Sequence, residues 1–322
     1  SEMCIRDSHI TFLYIRTNFV EVSFRQVISR PQEGSRIQAL SLYFENRRAM
    51  KELIGTQVYP WLQYYRADGK NWKDHLPEIL DQVKEAGLDA WEQTIESEAE
   101  ADRLSVLLRY RDLEMVSIYA GNELHGDNFE EEVKSVLTQA RLAKPLGARY
   151  VVCNPKPISW TEPTGKNDQQ LTRQAKALQL LGEGLAEEGM QLSYHVHTPE
   201  LRNGAREFHH MMVNVTPEAM GLCLETHWIY RGCGDSNHAV LDVMTLYGDR
   251  INTTHLRQSQ KSVWDETFQD GDVDHREIFR RLRKLDYSGP LTLEMAIEEG
   301  TPKTMSHAAA HRQAKKYLTD IL

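Results

Sequence analysis

The stretch "WKDHLPEILDQVKEAGLDAWE", residues 72–92, contains one complete helix–strand unit. Its first part has apolar residues at the spacing of one helical face, namely Leu76, Ile79, Leu80 and Val83. Gly87 then stands where a helix commonly ends, and the apolar run 88–92 has the length of a buried strand. The stretch therefore predicts a helix followed by a strand that ends in a carboxylate, Glu92.

The same unit recurs along the chain from residue 54 onward. Apolar runs of strand length alternate with helix-patterned segments, at 54–58, 88–92, 115–120, 149–153, 191–195, 221–225, 251–256 and 291–295. Alternation of this kind predicts a parallel sheet covered by helices. Eight units in residues 54–322 match the size of a (β/α)8 barrel, about 250 residues. A doubly wound open sheet is the alternative, but no GxGxxG motif follows any run. We predict an α/β fold of the TIM-barrel type.

Residues 1–49 differ from the rest of the chain. They show no sustained period of either helical or strand type and no clear signal-peptide pattern. We expect residues 1–49 to be a non-native or disordered N-terminal extension, and residues 50–322 to form the barrel domain.

Composition excludes several classes of protein. Apolar residues make up 40% and charged residues 26%, as in ordinary globular proteins, and the net charge is -9. This charge argues against nucleic acid or an anionic membrane as the main partner. The four cysteines form no CxxC pair, so a reducing, cytoplasmic compartment is expected. The chain has no apolar run long enough to span a membrane.

Four consecutive predicted strands end in chemically useful side chains. In chain order these are His195, Glu225, His255 and Glu294. The active sites of TIM barrels lie at the C-terminal ends of the strands, so these side chains should converge on one mouth. Two imidazoles and two carboxylates suit a borderline divalent cation. We predict one bound ion, either Mn²⁺, Co²⁺, Zn²⁺ or Fe²⁺, with Mg²⁺ less favoured.

Other polar residues end or follow the remaining strands. Glu92 ends the second strand and is a candidate catalytic carboxylate. Candidate substrate-binding residues at the same rim are His125, Asn154, Lys156, His227 and Arg257. His197 lies two residues after His195, and residues two apart on a strand share a face. The sequence leaves open which of these two histidines binds the ion and which faces substrate.

The segment "RQSQKSVWDETFQDGD", residues 257–272, is longer than an ordinary connection between strand and helix. It carries an aromatic residue, Trp264, among charged and polar ones. We expect a lid whose Trp264 and Arg257 face the substrate. The alternative is a loop that packs on its neighbours or on another subunit.

Four motifs carry a family resemblance. "SYHVHTPEL", "GLCLETHW", "TTHLRQS" and "LTLEM", in this order, resemble the xylose-isomerase-like TIM-barrel superfamily, over about residues 52–321. The resemblance implies a divalent metal bound by ligands from strands five to eight. Glu225 stands where the superfamily generally has the Asp of "LDTxH". The ketose 3-epimerases have a glutamate at the position of His195, and the "YHxH" form instead resembles the inosose-dehydratase-like branch.

The resemblance also implies a reaction. It favours a metal-dependent sugar isomerase or epimerase that acts on a keto sugar or keto cyclitol through an enediolate, with Glu294, His197 or Glu92 in proton transfer. One alternative is a dehydratase or lyase of the same superfamily, and another is a non-catalytic sugar-binding barrel. The partner would be a small sugar or cyclitol, and the chain could assemble as a homo-oligomer. A phosphodiesterase of the endonuclease type is disfavoured by the net charge.

Overall fold

The computed structural model describes residues 53–322, so the expectation for residues 1–49 lies outside the described residues. Within residues 53–322, eight parallel strands form one sheet. They are β1 (Ile54–Gln57), β2 (Ala90–Glu92), β3 (Ser117–Ala120), β4 (Tyr150–Cys153), β5 (Gln191–Tyr194), β6 (Met220–Glu225), β7 (Ile251–Leu256) and β8 (Leu291–Leu293). Their order is β2-β1-β8-β7-β6-β5-β4-β3. A backbone bridge between Ala90 and Glu114 joins the two edges, which confirms the TIM barrel expected from the sequence.

Helices follow the strands and cover the outside of the barrel. They are α1 (Val58–Ala67), α2 (Leu76–Glu85), α3 (Glu98–Arg111), α4 (Phe129–Ala143), α5 (Asp168–Glu187), α6 (Thr198–Asn214), α7 (Thr226–Gly232), α8 (Asn237–Tyr247), α9 (His275–Lys284) and α10 (His307–Ile321). The apolar face predicted for α2 is buried as expected. Every residue of β1 and β2 is also buried, because strands of a parallel barrel are covered on both faces. Within the described part of the chain, none of the helices is sufficiently long and apolar to span a membrane.

Strand register brings the C-terminal ends of β5 to β8 to one rim. Glu225 of β6 is the ladder partner of His255 of β7. Past the ends of β5 and β8, the backbone N–H of His195 donates to Cys153 O at 2.8 Å, and that of Glu294 donates to Leu256 O at 2.9 Å. The backbone ladder therefore continues one residue beyond each strand and fixes where these side chains start.

A small hairpin after β7 was not predicted from the sequence. Ser259–Gln260 pairs antiparallel with Val263–Trp264 within the segment expected to be a lid. The connecting residues, Lys261 and Ser262, both have positive φ, as two-residue hairpin turns require. Two residues per strand are too few to show a period, and Lys-Ser lacks the glycine or asparagine that usually marks such a turn.

Candidate metal centre

The four strand-end residues His195, Glu225, His255 and Glu294 lie together at the barrel mouth. Each offers one ligand atom, and these atoms all lie within 4.8 Å of one another. His195 Nε2 is 3.6 Å from Glu225 Oε2 and 3.9 Å from Glu294 Oε2. His255 Nδ1 is 3.1 Å from Glu294 Oε2. All four side chains are buried.

The donor set fits a divalent cation. Both ring nitrogens of His195 and Oε2 of Glu225 are buried without a hydrogen-bond partner. Burial of a polar atom costs free energy unless the atom is hydrogen-bonded, paired with a charge or bound to a metal. Two imidazoles and two carboxylates are donors that Mn²⁺, Co²⁺, Zn²⁺ and Fe²⁺ accept. These four residues are therefore able to hold a metal ion.

The surroundings shift the pKa values of the two carboxylates of this cluster in opposite directions. Burial, and after it the neighbouring Glu294, raises the pKa of Glu225 above its usual value. Burial alone would also raise the pKa of Glu294, but Arg257, followed by His195 and His255, holds it well below its usual range. Arg257 Nη2 donates to Glu294 Oε1 at 2.6 Å, and Arg257 Nε donates to the carbonyl oxygen of Glu294. Glu294 is therefore the carboxylate that is ionised most readily.

Glu92 lies behind the cluster. Its Oε1 is 3.1 Å from Nε2 of His255, and its Oε2 accepts a hydrogen bond from Ser117 Oγ at 2.5 Å. It is only 2% exposed and does not line the cavity described below. Glu92 was expected to be a catalytic carboxylate, and the structure places it on the far side of the His255 ring from Glu294. Glu92 instead positions His255, leaving Nδ1 toward the cluster.

A cavity of about 630 Å³ opens above the cluster. Glu294 reaches it from the cluster side, beside His197. The residues that line it are Gln57, Val58, Tyr59, Thr94, Tyr119, Trp160, His197, Thr198, Pro199, Trp228, Arg257, Trp264 and Glu294. The two strand-five histidines therefore diverge: His195 belongs to the cluster and His197 to the cavity wall.

His197 is held in place through its backbone and its ring. Its backbone N–H donates to Glu200 Oε2 at 2.7 Å, which fixes the start of α6. The ring centroid lies 4.7 Å from that of His195. Burial, and after it the neighbouring His195, holds the pKa of His197 well below its usual value. Its Nδ1 is buried and has no hydrogen-bond partner.

Several predicted substrate-binding residues lie elsewhere. Asn154 is buried and donates to the carbonyl oxygen of His195 at 3.1 Å, so it supports the end of β5. His125 and His227 are buried but do not line the cavity. Lys156 is exposed and outside the lining. Of the predicted substrate-binding residues, Arg257 and Trp264 therefore line this cavity, whereas β4 ends at Cys153 and Lys156 lies beyond it.

Arg257 and Trp264 both line the cavity, as expected of the loop after β7. Trp264 is nevertheless packed: it is only 7% exposed, with the guanidinium carbon of Arg257 at 4.0 Å and that of Arg231 at 4.9 Å from ring centroids. Its backbone N–H donates to Glu298 Oε1 at 2.8 Å. The segment therefore lines the cavity, and it also packs on its neighbours, which was the alternative to a lid.

Of the residues that line the cavity, sequence reasoning proposed only His197, Arg257, Trp264 and Glu294 for the site, and among those it missed are Gln57, Thr94, Tyr119 and Trp228. Trp228 had a detectable signal, because it follows Glu225 by three residues, within the first turn of α7. Its backbone N–H donates to Glu225 Oε1 at 3.4 Å, so Glu225 caps the helix that presents Trp228. Gln57 ends β1 and Tyr119 is the last residue but one of β3, and neither residue type indicates a cavity position by itself.

Comparison with known proteins gives consistent results. Residues 80–320 match the family model described as "Xylose isomerase-like TIM barrel". The chain is 24% identical over 245 residues to an inosose dehydratase of Clostridium perfringens, covering 67% of this chain and 80% of that protein. It is also 24% identical over 284 residues to an inosose dehydratase of Geobacillus kaustophilus, covering 77% and 89%. Among solved structures, an L-ribulose 3-epimerase superposes with a TM-score of 0.65 at 17% identity, covering 84% of this chain and 95% of that chain.

Proposed function

The chain belongs to the xylose isomerase-like TIM-barrel family, and from this we propose that it is a divalent-metal-dependent isomerase or epimerase that enolises a keto sugar or keto cyclitol. One observation carries the proposal. Glu294 belongs both to the buried His–Glu cluster and to the cavity wall, where His197 stands beside it. A substrate in this cavity would therefore meet a metal-binding carboxylate and a free imidazole together.

His195, Glu225, His255 and Glu294 would hold the ion. A bound divalent cation acts as a Lewis acid that polarises a carbonyl oxygen and makes the proton on the adjacent carbon easier to remove. The chain fixes the remaining parts of the site. Arg257 keeps Glu294 ionised and oriented, and Glu92 keeps the His255 ring turned with Nδ1 toward the cluster.

Proton transfer falls to His197 in this proposal. Two observations support this role: the His197 residue lines the cavity with Glu294, and its Nδ1 is buried without a hydrogen-bond partner. The ring would accept the proton from the carbon beside the carbonyl, which gives an enediolate. Return of a proton to the neighbouring carbon gives isomerisation, and return to the opposite face of the same carbon gives epimerisation.

The test is exchange of substrate protons with deuterated water. Protein loaded with Mn²⁺ should catalyse exchange at the carbon beside the carbonyl of at least one member of a panel of keto sugars and keto cyclitols. His197→Gln should keep its metal and lower the exchange rate about 100-fold, the usual contribution of a positioned base. His210→Gln, which changes a histidine of the same helix α6 whose ring contacts Asn214, is the control. Unchanged exchange in His197→Gln would remove His197 from the mechanism.

A dehydratase is the second candidate. The observation that favours it is the pair of inosose dehydratases that match most of their own length. The two reactions share the first step, because loss of a β-hydroxyl from the enediolate gives an unsaturated ketone. Appearance of ultraviolet absorption from that ketone, with exchange slower than product formation, would select the dehydratase. Metal binding without exchange on the whole panel would select a sugar-binding barrel instead.

A further inference from the structure

We propose that the cavity takes an uncharged glycoside, with one sugar ring at the metal cluster and a second ring, either a sugar or an aromatic aglycone, against an outer wall. The outer wall is Trp160, Trp228 and Tyr59. The side chains of the same cavity disfavour sugar phosphates and sugar acids. The placement of the inner ring rests on the proposed function, whereas the outer wall and the charge argument stand on the cavity itself.

The size of the cavity exceeds the need of one sugar ring. At the ~30 Å³ that liquid water gives each oxygen, the twelve non-hydrogen atoms of a hexose occupy about 360 Å³, which is a generous figure. The cavity measures about 630 Å³. It therefore has room for a second group of ring size beyond a hexose placed at Glu294.

The charges of the cavity favour a neutral ligand. Among the described residues that line it, only Arg257 and Glu294 carry a charge. Arg257 donates to the Glu294 carboxylate at 2.6 Å and to the Glu294 carbonyl oxygen at 2.8 Å, so its charge is already paired with that carboxylate. Burial of a phosphate or carboxylate requires an opposite charge that is not otherwise engaged. The side chains of the lining supply none, and the carboxylates of Glu225 and Glu294 would offset the charge of a bound divalent ion.

The outer wall is aromatic and partly open to solvent. Trp160 is 57% exposed and Tyr59 is 44% exposed, although both line the cavity. The rings of Trp160 and Trp228 flank His197, with centroid distances of 5.0 and 5.3 Å. Flat aromatic faces that are left exposed at a cavity indicate a ligand that covers them. The Trp264 ring does not serve this purpose, because Arg257 and Arg231 pack on it.

Apart from Nδ1 of His197, the unpartnered polar atoms of the wall are donors. Nε1 of Trp228, Nε1 of Trp264 and Nη1 of Arg257 are buried without a hydrogen-bond partner. Indole and guanidinium groups donate and cannot accept. Hydroxyl and ether oxygens of a glycoside can accept from such donors without bringing a charge into the cavity.

The experiment measures binding of unreactive ligands, so it does not depend on turnover. Isothermal titration calorimetry of the Mn²⁺-loaded protein would compare methyl and phenyl glucopyranosides, as matched pairs of both anomers, with glucose 6-phosphate. For at least one anomer, the phenyl glycoside should bind about 10-fold more tightly than the methyl glycoside, as expected for one added aromatic contact. Glucose 6-phosphate should bind more weakly than either.

Variants locate the effect. Trp160→Ala should remove most of the phenyl preference, and Trp160→Phe should restore it. Because Trp160 is exposed, neither change should lower the melting temperature. Tyr110→Ala, which removes an aromatic ring that is 84% exposed on α3, is the control and should leave binding unchanged.

Four outcomes would overturn the proposal: equal binding of phenyl and methyl glycosides for both anomers, an intact preference in Trp160→Ala, binding of glucose 6-phosphate as tight as that of the phenyl glycoside, or no binding of any probe. Failure here is distinguishable from failure of the proposed function. Absence of proton exchange on keto sugars would contradict the enolising activity and leave a measured phenyl preference in place.

Discussion

Glu294 links the candidate metal centre to the cavity through its two carboxylate oxygens. Oε1 accepts from Arg257 at 2.6 Å, and Oε2 lies 3.1 Å from His255 Nδ1. The guanidinium keeps the pKa of Glu294 well below its usual range, whereas burial and Glu294 itself raise the pKa of Glu225. Removal of Arg257 would therefore remove the main charge that keeps Glu294 ionised beside a second buried carboxylate.

At the same scale, Glu92 should control metal affinity without touching the metal. Its carboxylate orients the His255 ring, and loss of such a supporting contact typically costs 10–100-fold in metal affinity, so we expect about this loss for Glu92→Gln. Competition with a chromogenic chelator measures the affinity. Glu96→Gln, at an exposed carboxylate, is the control. Wild-type affinity in Glu92→Gln would show that His255 needs no such support.

Glu200 should make stability depend on pH. Burial, and after it the neighbouring Glu207, raises the pKa of Glu200 from 4.5 to about 7 in the folded protein. Between pH 4.5 and about 7 the folded state therefore binds more protons at Glu200 than the unfolded state does, so the contribution of this group to stability falls as the pH rises through this range. At 1.36 kcal/mol per pKa unit, ionised Glu200 lowers the free energy of unfolding by up to about 3 kcal/mol at pH 8.

The variant Glu200→Gln should abolish that dependence. Its amide oxygen can still accept the His197 N–H, and it carries no charge at any pH. Urea unfolding at pH 5 and pH 8 should therefore show a smaller loss of stability in the variant than in the wild type, and a variant that is more stable at pH 8. An identical pH slope in both proteins would place the titration elsewhere.

At the scale of elements, the segment 257–272 is a packed hairpin that carries part of the cavity wall. Trp264 is enclosed between Arg257 and Arg231, so removal of its ring disturbs both stability and the orientation of Arg257. Trp264→Ala should lower the free energy of unfolding by about 3 kcal/mol, as buried aromatic truncations do. A variant with normal stability would mean that the loop is a mobile lid after all.

Trp264→Phe separates the two roles of this residue. It keeps a ring between the arginines but lacks Nε1–H, which is buried and unpartnered. Stability should be largely restored, and ligand affinity should stay reduced. Calorimetric titration with the phenyl glycoside measures the second effect. Full recovery of both properties would show that the indole N–H contacts no ligand.

The sequence was informative where a feature has a period or a fixed position. Each of β1 to β8 lies within a run predicted as a strand or extends at most one residue beyond it, because buried strands of a parallel barrel are continuous apolar runs. The cluster of His195, Glu225, His255 and Glu294 was predicted from the rule that the C-terminal ends of barrel strands converge. This prediction requires no knowledge of side-chain direction. The sequence could not show which of His195 and His197 belongs to the cluster, because residues two apart on a strand share a face. The two side chains diverge only because helix α6 starts directly after His197.

Other features depend on contacts that the sequence does not encode locally. Glu92 ends a strand like the other candidates, and only the packing of β2 behind His255 turns it away from the cavity. The rim is also shorter than expected at β4, so Lys156 faces solvent. Trp228 lies in the cavity wall because helix α7 starts directly after its N-cap, Glu225. The hydrophobic period of the sequence does not predict that start.

At the scale of the whole molecule, the central claim is that the barrel mouth holds one divalent ion through residues that four different strands deliver. A bound ion would also stabilise the fold, because it binds only the folded state, in which these strands are assembled. The claim therefore concerns the fold and the site together.

Metal analysis by mass spectrometry, on protein purified without chelator, tests this claim most directly. The wild type should contain about one Mn²⁺, Co²⁺, Zn²⁺ or Fe²⁺ ion per chain. The double variant His255→Ala, Glu294→Gln should lose it, whereas His210→Gln, which lies outside the cluster, should retain it. Full metal occupancy in the folded double variant, or no metal in the wild type even after dialysis against these ions, would contradict the account.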